Sequence, residues 1–268
     1  MSEVKISGSI SVGKGKMVLF SGPCVIESRD ICLEVASSLK NICSELDIQY
    51  IFKASFDKAN RTSLGSFRGI GTREGLKVLQ EVKERVEVPV ITDVHEIEQV
   101  DTLAETVDVL QIPAFLCRQT SLLVKAGKSG KAVNIKKGQF MAPEDMKFAV
   151  EKVKSTGNEN VLLTERGSSF GYHDLIVDFR ALPVMRNYCP VIFDVTHSVQ
   201  QPGGSNGKSG GQREYAPYLA RAAAAVGVDG FFIETHPDPS KALSDGPNMI
   251  PLEEMKDFLQ MLKKYWEL

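Results

Sequence analysis

The feature that most constrains this chain is an alternation repeated along nearly its whole length: short apolar runs of strand type, each followed by a longer polar or helically patterned stretch. Eight such runs stand at Met17 to Phe20, Tyr50 to Ala54, Pro89 to Asp93, Val107 to Pro113, Ala132 to Lys136, Val161 to Glu165, Val191 to Val195 and Gly230 to Glu234. Their length and their Val, Ile and Phe content fit buried strands. After the first run, Ile31, Cys32, Val35, Ala36, Leu39, Ile42, Cys43 and Leu46 recur at helical spacing behind Ser28, a suitable N-cap. Further helical patterns cover Gly75 to Val86, Ile97 to Glu105, Pro143 to Val153, Arg213 to Val226 and Leu252 to Trp266, with Pro143 and Pro251 placed to open helices. Alternating strands and helices imply parallel pairing through right-handed crossovers. Eight units predict a closed (β/α)8 TIM barrel, and 268 residues is close to the ~250 typical of one. An open doubly wound sheet is the runner-up, but neither a GxGxxG after the first run nor a Walker motif is present.

One catalytic domain is expected over residues 1–268, with residues 1–16 as a hairpin extension that caps the barrel floor: Val4, Ile6, Ile10 and Val12 alternate there with polar residues and glycines. The Gly-rich segment Gln201 to Gln212 reads as a mobile active-site loop rather than a domain boundary. Five cysteines, an odd number, fit reduced thiols better than a disulfide framework, and Cys32 and Cys43 fall on a core-facing helix stripe. No apolar core of signal-peptide length opens the chain and no uncharged run reaches the ~20 residues of a membrane span, so a cytoplasmic location without membrane association is expected. A net charge of -2, from 32 basic and 34 acidic residues, offers no nucleic-acid footprint, yet leaves room for a local cationic pocket.

In such a barrel the chemistry sits at the carboxyl ends of the strands. Those ends carry Cys24, Lys53 and Ser55, Asp93 and His95, Gln111 and Arg118, Lys136, Glu165 and Arg166, Asp194 and His197, then Glu234 and His236, with Asp238 and Asp245 just beyond. Directly after the second run, Lys58, Asn60, Arg61, Thr62 and Ser63 add charge and hydroxyl groups. Arg brings a planar donor fork, Lys a point charge and Asn both donor and acceptor, a set suited to a phosphorylated, hydroxylated small molecule. A solvated basic loop is the alternative. Lys53, Lys136 and Arg166 are candidates for holding one phosphate or carboxylate, against the possibility that each satisfies a buried carboxylate. Cys24, His197, Glu234 and Asp245 could coordinate one divalent ion such as zinc, iron or manganese, although no CxxC or HExxH spacing marks them.

GPCVIESRD (22–30), KASFDKANRTS (53–63), ITDVHE (91–96) and QIPAFLCRQT (111–120), continued by NIKKGQF, LTERGSSFGY, FDVTHSVQQPGG and ETHPDP, strongly resemble the 3-deoxy-D-manno-octulosonate 8-phosphate synthases over almost the whole chain. The resemblance implies a barrel enzyme, commonly tetrameric, that joins phosphoenolpyruvate to arabinose 5-phosphate with release of phosphate, supplying the sugar acid of lipopolysaccharide. It further implies that Lys53, Ser55, Lys58, Gln111, Lys136 and Arg166 meet phosphoenolpyruvate, and that Asn60, Arg61, Thr62 and Ser63 meet the pentose phosphate. Arg118 would reach a neighbouring subunit's site. Thr62 stands where the family often has Ser, which keeps the hydroxyl. Members divide into metal-dependent enzymes with Cys and metal-independent ones with Asn at the position matching Cys24, so this sequence is similar to the metal-dependent branch. Cys24, His197, Glu234 and Asp245 are its implied ligands for one ion per subunit, and Lys58, His197, Cys24 and Asp245 its implied catalytic groups. Two competing readings are a 3-deoxy-heptulosonate 7-phosphate synthase acting on erythrose 4-phosphate, against which KANRTS argues, and a noncatalytic sugar-phosphate-binding barrel.

Overall fold

The computed structural model describes residues 3–268 other than 9, 14, 206 and 207, so parts of the expected hairpin and of the Gln201 to Gln212 segment lie outside the described residues. Eight parallel strands form the centre: β1 (Val18–Gly22), β2 (Gln49–Lys53), β3 (Val90–Asp93), β4 (Val109–Ile112), β5 (Ala132–Lys136), β6 (Val161–Glu165), β7 (Val191–Asp194) and β8 (Gly230–His236). Each pairs with the next in sequence, and β8 pairs both with β7 (Phe231 beside Phe193) and with β1 (Phe232 beside Phe20). This last pairing closes the sheet and removes the open-sheet alternative. Around it lie α1 (Arg29–Glu45), α2 (Thr72–Val86), α3 (Gln99–Thr106), α4 (Thr120–Lys128), α5 (Met146–Lys154), α6 (Ala181–Arg186), α7 (Ala216–Val226) and α8 (Met255–Trp266).

Because side chains alternate sides along a strand, each strand feeds two cores. Leu19, Phe52, Val90, Leu110, Val133, Leu163, Phe193 and Phe231 face outward into the layer shared with the helices. Val18, Phe20, Ile51, Ile91, Val109, Ala132, Leu162, Ile192 and Phe232 fill the interior together with Val4 and Val12. Burying each large apolar side chain contributes ~1.5–3 kcal/mol. Val4 and Val12 belong to an antiparallel hairpin (Val4–Ser7 with Ile10–Val12) that plugs the amino end, as expected. The floor of the barrel is therefore sealed by apolar residues. Two positions further up, the same inward alternation delivers Lys53, Asp93, Gln111, Asn134, Thr164, Asp194 and Glu234, all buried.

The helix boundaries depart from the expectations in instructive ways. Pro143 and Pro251 do not open α-helices. Pro143 starts a 3-10 turn (Pro143–Asp145) that precedes α5, and Pro251 precedes another (Leu252–Glu254) before α8. Helices α4 and α6 carry no signal that the apolar spacing resolves: α4 spans nine residues, while α6 spans six and contains Pro183. Ser28 caps α1 as expected, its hydroxyl accepting from Ile31 N at 3.2 Å. The Gly-rich segment, expected as a mobile loop, carries an antiparallel strand pair, Gln200–Ser205 with Lys208–Gly211. All five cysteines are buried and free. Among the described residues no helix is long and apolar enough to cross a membrane.

Candidate active site

The polar layer above Phe20, Ile51 and Phe232 is organised as two hydrogen-bonded chains. On one wall Lys58 Nζ donates to Ser55 Oγ (3.0 Å), and Ser55 donates in turn to Asp93. Gln111 Nε2 donates to Asp93 Oδ1 (2.5 Å), Asn134 to Gln111 Oε1 (3.1 Å) and Thr164 to Asn134 Oδ1 (2.7 Å). Every member is satisfied, as a buried network must be to contribute stability. The opposite wall is ionic. Lys136 Nζ donates to Asp194 Oδ2 (2.5 Å), whose carboxylate also holds His197 Nδ1 (2.9 Å) and the His197 backbone N–H (2.9 Å). Lys53 Nζ donates to Glu234 Oε1 (2.6 Å) and to the Cys24 carbonyl (3.1 Å). The Phe232 ring lies beneath both lysines, with Lys136 Nζ 3.7 Å and Lys53 Nζ 5.3 Å from its centroid.

Burial by itself would push the carboxyls of Asp93, Asp194 and Glu234 upward, but the surrounding cations reverse this. Lys53 and Lys58 hold Asp93 far below the ordinary range, His197 and Lys136 do so for Asp194, and Lys53 and His197 for Glu234. All three are ionised at neutral pH. Lys58 sits above the usual lysine value: the desolvation that opposes its charge is outweighed by the carboxylates of Glu234, Asp93 and Asp245. Lys136 and Arg166 are lowered, chiefly by burial and against the pull of Asp194.

Cys24, Glu234 and Asp245 each offer a ligand atom, and those atoms lie within 4.8 Å of one another. The Cys24 thiol is buried and raised well above its ordinary value, first by desolvation and then by Glu234. It lies 2.9 Å from Ser244 Oγ and donates to Asp245 Oδ2 at 3.3 Å. Asp245 reaches this point on a backbone with φ +50°, a left-handed conformation that Asp tolerates better than most residues. His197, the fourth expected ligand, stands to the side of this trio. Its Nε2 is 3.6 Å from Glu234 Oε2, too long for a good hydrogen bond, while its Nδ1 is committed to Asp194. A thiol, two carboxylates and an imidazole nitrogen facing one of them form a donor set that suits a divalent cation.

Above these walls opens a cavity of about 730 Å³ lined by Lys53, Lys58, Asn60, Arg61, Thr62, Ser63, Gln111, Lys136, Arg166, His197 and Asp245. This brings together most of the residues expected to meet substrate. Lys53 and Lys136 are paired with carboxylates and also line the cavity. Arg166 Nη2 donates to Gln200 Oε1 (2.9 Å), whereas its Nη1 is buried without a partner; Arg61 Nη2, on the loop after β2, is buried and unpartnered as well. Both arginines, on different loops, line one cavity. Arg118 does not join them: it is exposed and does not line the cavity.

Sequence reasoning missed several contributors. Asn134 and Thr164 look like ordinary strand residues until the alternation from Ala132 and Leu162 places them inside. Ser244, against Cys24, and Gln200, which bridges Arg166 and Asp245 Oδ1 (3.0 Å), carry no local signal because their partners are distant in sequence. Glu165 also has a role the sequence did not suggest. Its Oε1 accepts from Arg166 N (3.0 Å) and Gly167 N (2.7 Å), fixing the turn that aims Arg166.

Residues 2–268 match the DAHP synthetase I family. The chain is similar to curated proteins named 2-dehydro-3-deoxyphosphooctonate aldolase. It is 57% identical to that of Cyanothece sp. over 264 residues, covering 98% of this chain and 97% of the relative. The Synechococcus sp. protein is 56% identical over 265 residues (98% and 93%), and that of Trichlorobacter lovleyi 58% over 258 residues (96% and 95%).

Proposed function

This chain belongs to the DAHP synthetase I family, and from that premise we propose that it is the enzyme condensing phosphoenolpyruvate with arabinose 5-phosphate and water. The products are 3-deoxy-D-manno-octulosonate 8-phosphate and inorganic phosphate, in the synthesis of the lipopolysaccharide sugar acid. The observation that carries this reading is the convergence of two arginines, Arg61 and Arg166, with Lys58 and Lys136 in the lining of one cavity. Two phosphorylated substrates require two anion-binding ends in one cavity.

Phosphoenolpyruvate is assigned to Lys53, Ser55, Lys58, Gln111, Lys136 and Arg166, and the pentose phosphate to Asn60, Arg61, Thr62 and Ser63. Carbon 3 of phosphoenolpyruvate attacks the aldehyde carbon, and a new carbon–carbon bond forms. Positive charge develops at carbon 2, where water adds, and phosphate leaves by carbon–oxygen cleavage. The aldehyde oxygen takes up a proton. Lys58, kept charged by the surrounding carboxylates, is placed to stabilise the negative oxygen. Asp194 accepts from His197 Nδ1 and so leaves Nε2 as the nitrogen turned toward Glu234 and the other candidate ligands.

Cys24, Glu234 and Asp245, with His197 beside them, are assigned to one divalent ion of zinc, iron or manganese type. Such an ion would supply Lewis-acid polarisation of the aldehyde, or orientation of the water. A homotetramer is proposed, in which the exposed Arg118 serves a neighbouring subunit's cavity. Five free thiols fit the reducing cytoplasm.

The test is phosphoenolpyruvate loss in chelator-treated protein, with arabinose 5-phosphate or erythrose 4-phosphate, before and after divalent metals are restored. Consumption with the pentose phosphate alone, and only after metal addition, is expected. Preference for the tetrose phosphate would overturn the substrate, and undiminished activity in metal-free protein would overturn the metal.

A further inference from the structure

Glu27 lies three residues beyond Cys24, lines no part of the cavity, and is used by nothing above. Its side chain is nonetheless 8% exposed. One of its carboxylate oxygens is bonded to the segment that carries Asp245, and the other faces the segment that carries Glu234. Oε1 accepts from Leu243 N at 2.8 Å, two residues before Asp245. Oε2 lies 3.7 Å from Nε2 of His236, two residues after Glu234. His236 is buried, its Nε2 has no hydrogen-bond partner, and its Nδ1 lies 3.0 Å from the backbone N–H and 2.8 Å from the carbonyl of Asp238, at the start of the loop that ends in Asp245.

The loop from Asp238 to Asp245 contains only a 3-10 turn, Pro239–Lys241, and it must deliver Asp245 in a left-handed conformation. A loop with so little regular structure depends on contacts from outside it, and Gln200 Nε2 on Asp245 Oδ1 is one of them. Glu27 supplies a further constraint, one side chain tying the Cys24 segment to the Asp245 segment through Leu243 N. We propose that Glu27 is a positioning residue that sets the spacing of Cys24 and Asp245, and thereby the affinity of the Cys24, Glu234 and Asp245 trio for a divalent ion. The proposal rests on the metal reading above. Groups that orient metal ligands in this way typically carry a 10–100-fold effect on affinity.

The experiment titrates chelator-stripped protein with Co²⁺ and follows the thiolate-to-cobalt charge-transfer absorption, together with the visible bands that report ligand geometry. Glu27→Ala is expected to weaken Co²⁺ binding by about 10–100-fold and to alter the visible bands. Glu27→Gln keeps an oxygen acceptor for Leu243 N and is expected to bind close to the wild-type level. Glu27→Asp shortens the side chain so that it no longer reaches Leu243 N; it is expected to weaken binding in the same direction, and it carries the test if Glu27→Ala does not fold. Folded Ala and Asp variants with wild-type affinity and spectrum would overturn the proposal, as would a folded Gln variant as impaired as Ala. Wild-type protein showing no thiolate-to-cobalt absorption would instead overturn the metal reading, and this proposal with it.

Discussion

Asp194→Asn is the most informative single substitution in the ionic wall. Asp194 is fully buried and holds Lys136 at 2.5 Å and His197 Nδ1 at 2.9 Å. Asn keeps the shape and one acceptor for His197, but it turns a donor or a neutral oxygen toward the Lys136 ammonium. Breaking a buried pair by removing one partner costs ~3–5 kcal/mol. Lys136 has an escape, because it can lose its proton, which from an ordinary value of ~10.4 costs about 4 kcal/mol at pH 7.5. The penalty is therefore capped near 3–4 kcal/mol. At ~2–4 °C per kcal/mol for a chain of this size, Tm should fall by roughly 6–16 °C. Burial already lowers Lys136, and without Asp194 it falls further. A neutral Lys136 forfeits a charge-assisted contact to phosphoenolpyruvate worth ~1.5–3 kcal/mol, so KM should rise about 10- to 150-fold. That KM should improve as pH is lowered and Lys136 regains its proton, a trend that loss of packing alone does not produce. Thermal melts and steady-state kinetics across pH test this. A variant with wild-type Tm and a wild-type KM for phosphoenolpyruvate would refute the assignment of Lys136 to substrate and of Asp194 to Lys136.

The remaining predictions address other parts of the site. Asp245→Ala should lower both bound metal, measured by elemental analysis, and turnover; retention of both would remove Asp245 from the ligand set. Gly22→Ala places a Cβ 2.1 Å from the Lys53 carbonyl at the junction of β1 and β2, and should destabilise by ~1–3 kcal/mol of overpacking or more, read as a drop in Tm. Because the folded-state values of Asp93, Asp194 and Glu234 lie below those of the unfolded chain, their contribution is fully present above about pH 4–4.5 and is lost as pH falls below it. Urea midpoints that stay level from pH 7 down to pH 3 would contradict those depressed values.

Strand number, strand position and the carboxyl-end location of the polar residues were legible because they depend on local alternation. The run FKAS shows the principle: Phe52 faces the helices, Lys53 the interior, and Ala54 and Ser55 repeat the pattern one step higher. Helices α4 and α6 were not legible. Each is short enough that tertiary packing, not propensity, stabilises it, and a six-residue helix with an internal proline shows no amphipathic period. The Gly-rich hairpin was hidden for a related reason, since glycines give a strand no side-chain signal and Gly211 is fitted instead by its close approach to Asn248.

By itself the sequence determined the barrel class, the apolar floor and the inventory of charged groups, because periodicity is written into each strand separately. Which of those groups meet was decided only by closure. Lys53 finds Glu234 because β8 returns to β1 beside β2, and the Cys24 thiol finds Asp245 across 221 residues of chain because the loop after β8 folds back over the first strand end. Pairing of buried charges is a property of distance in space. A linear chain holds the partners, but the closed sheet brings them within hydrogen-bond reach.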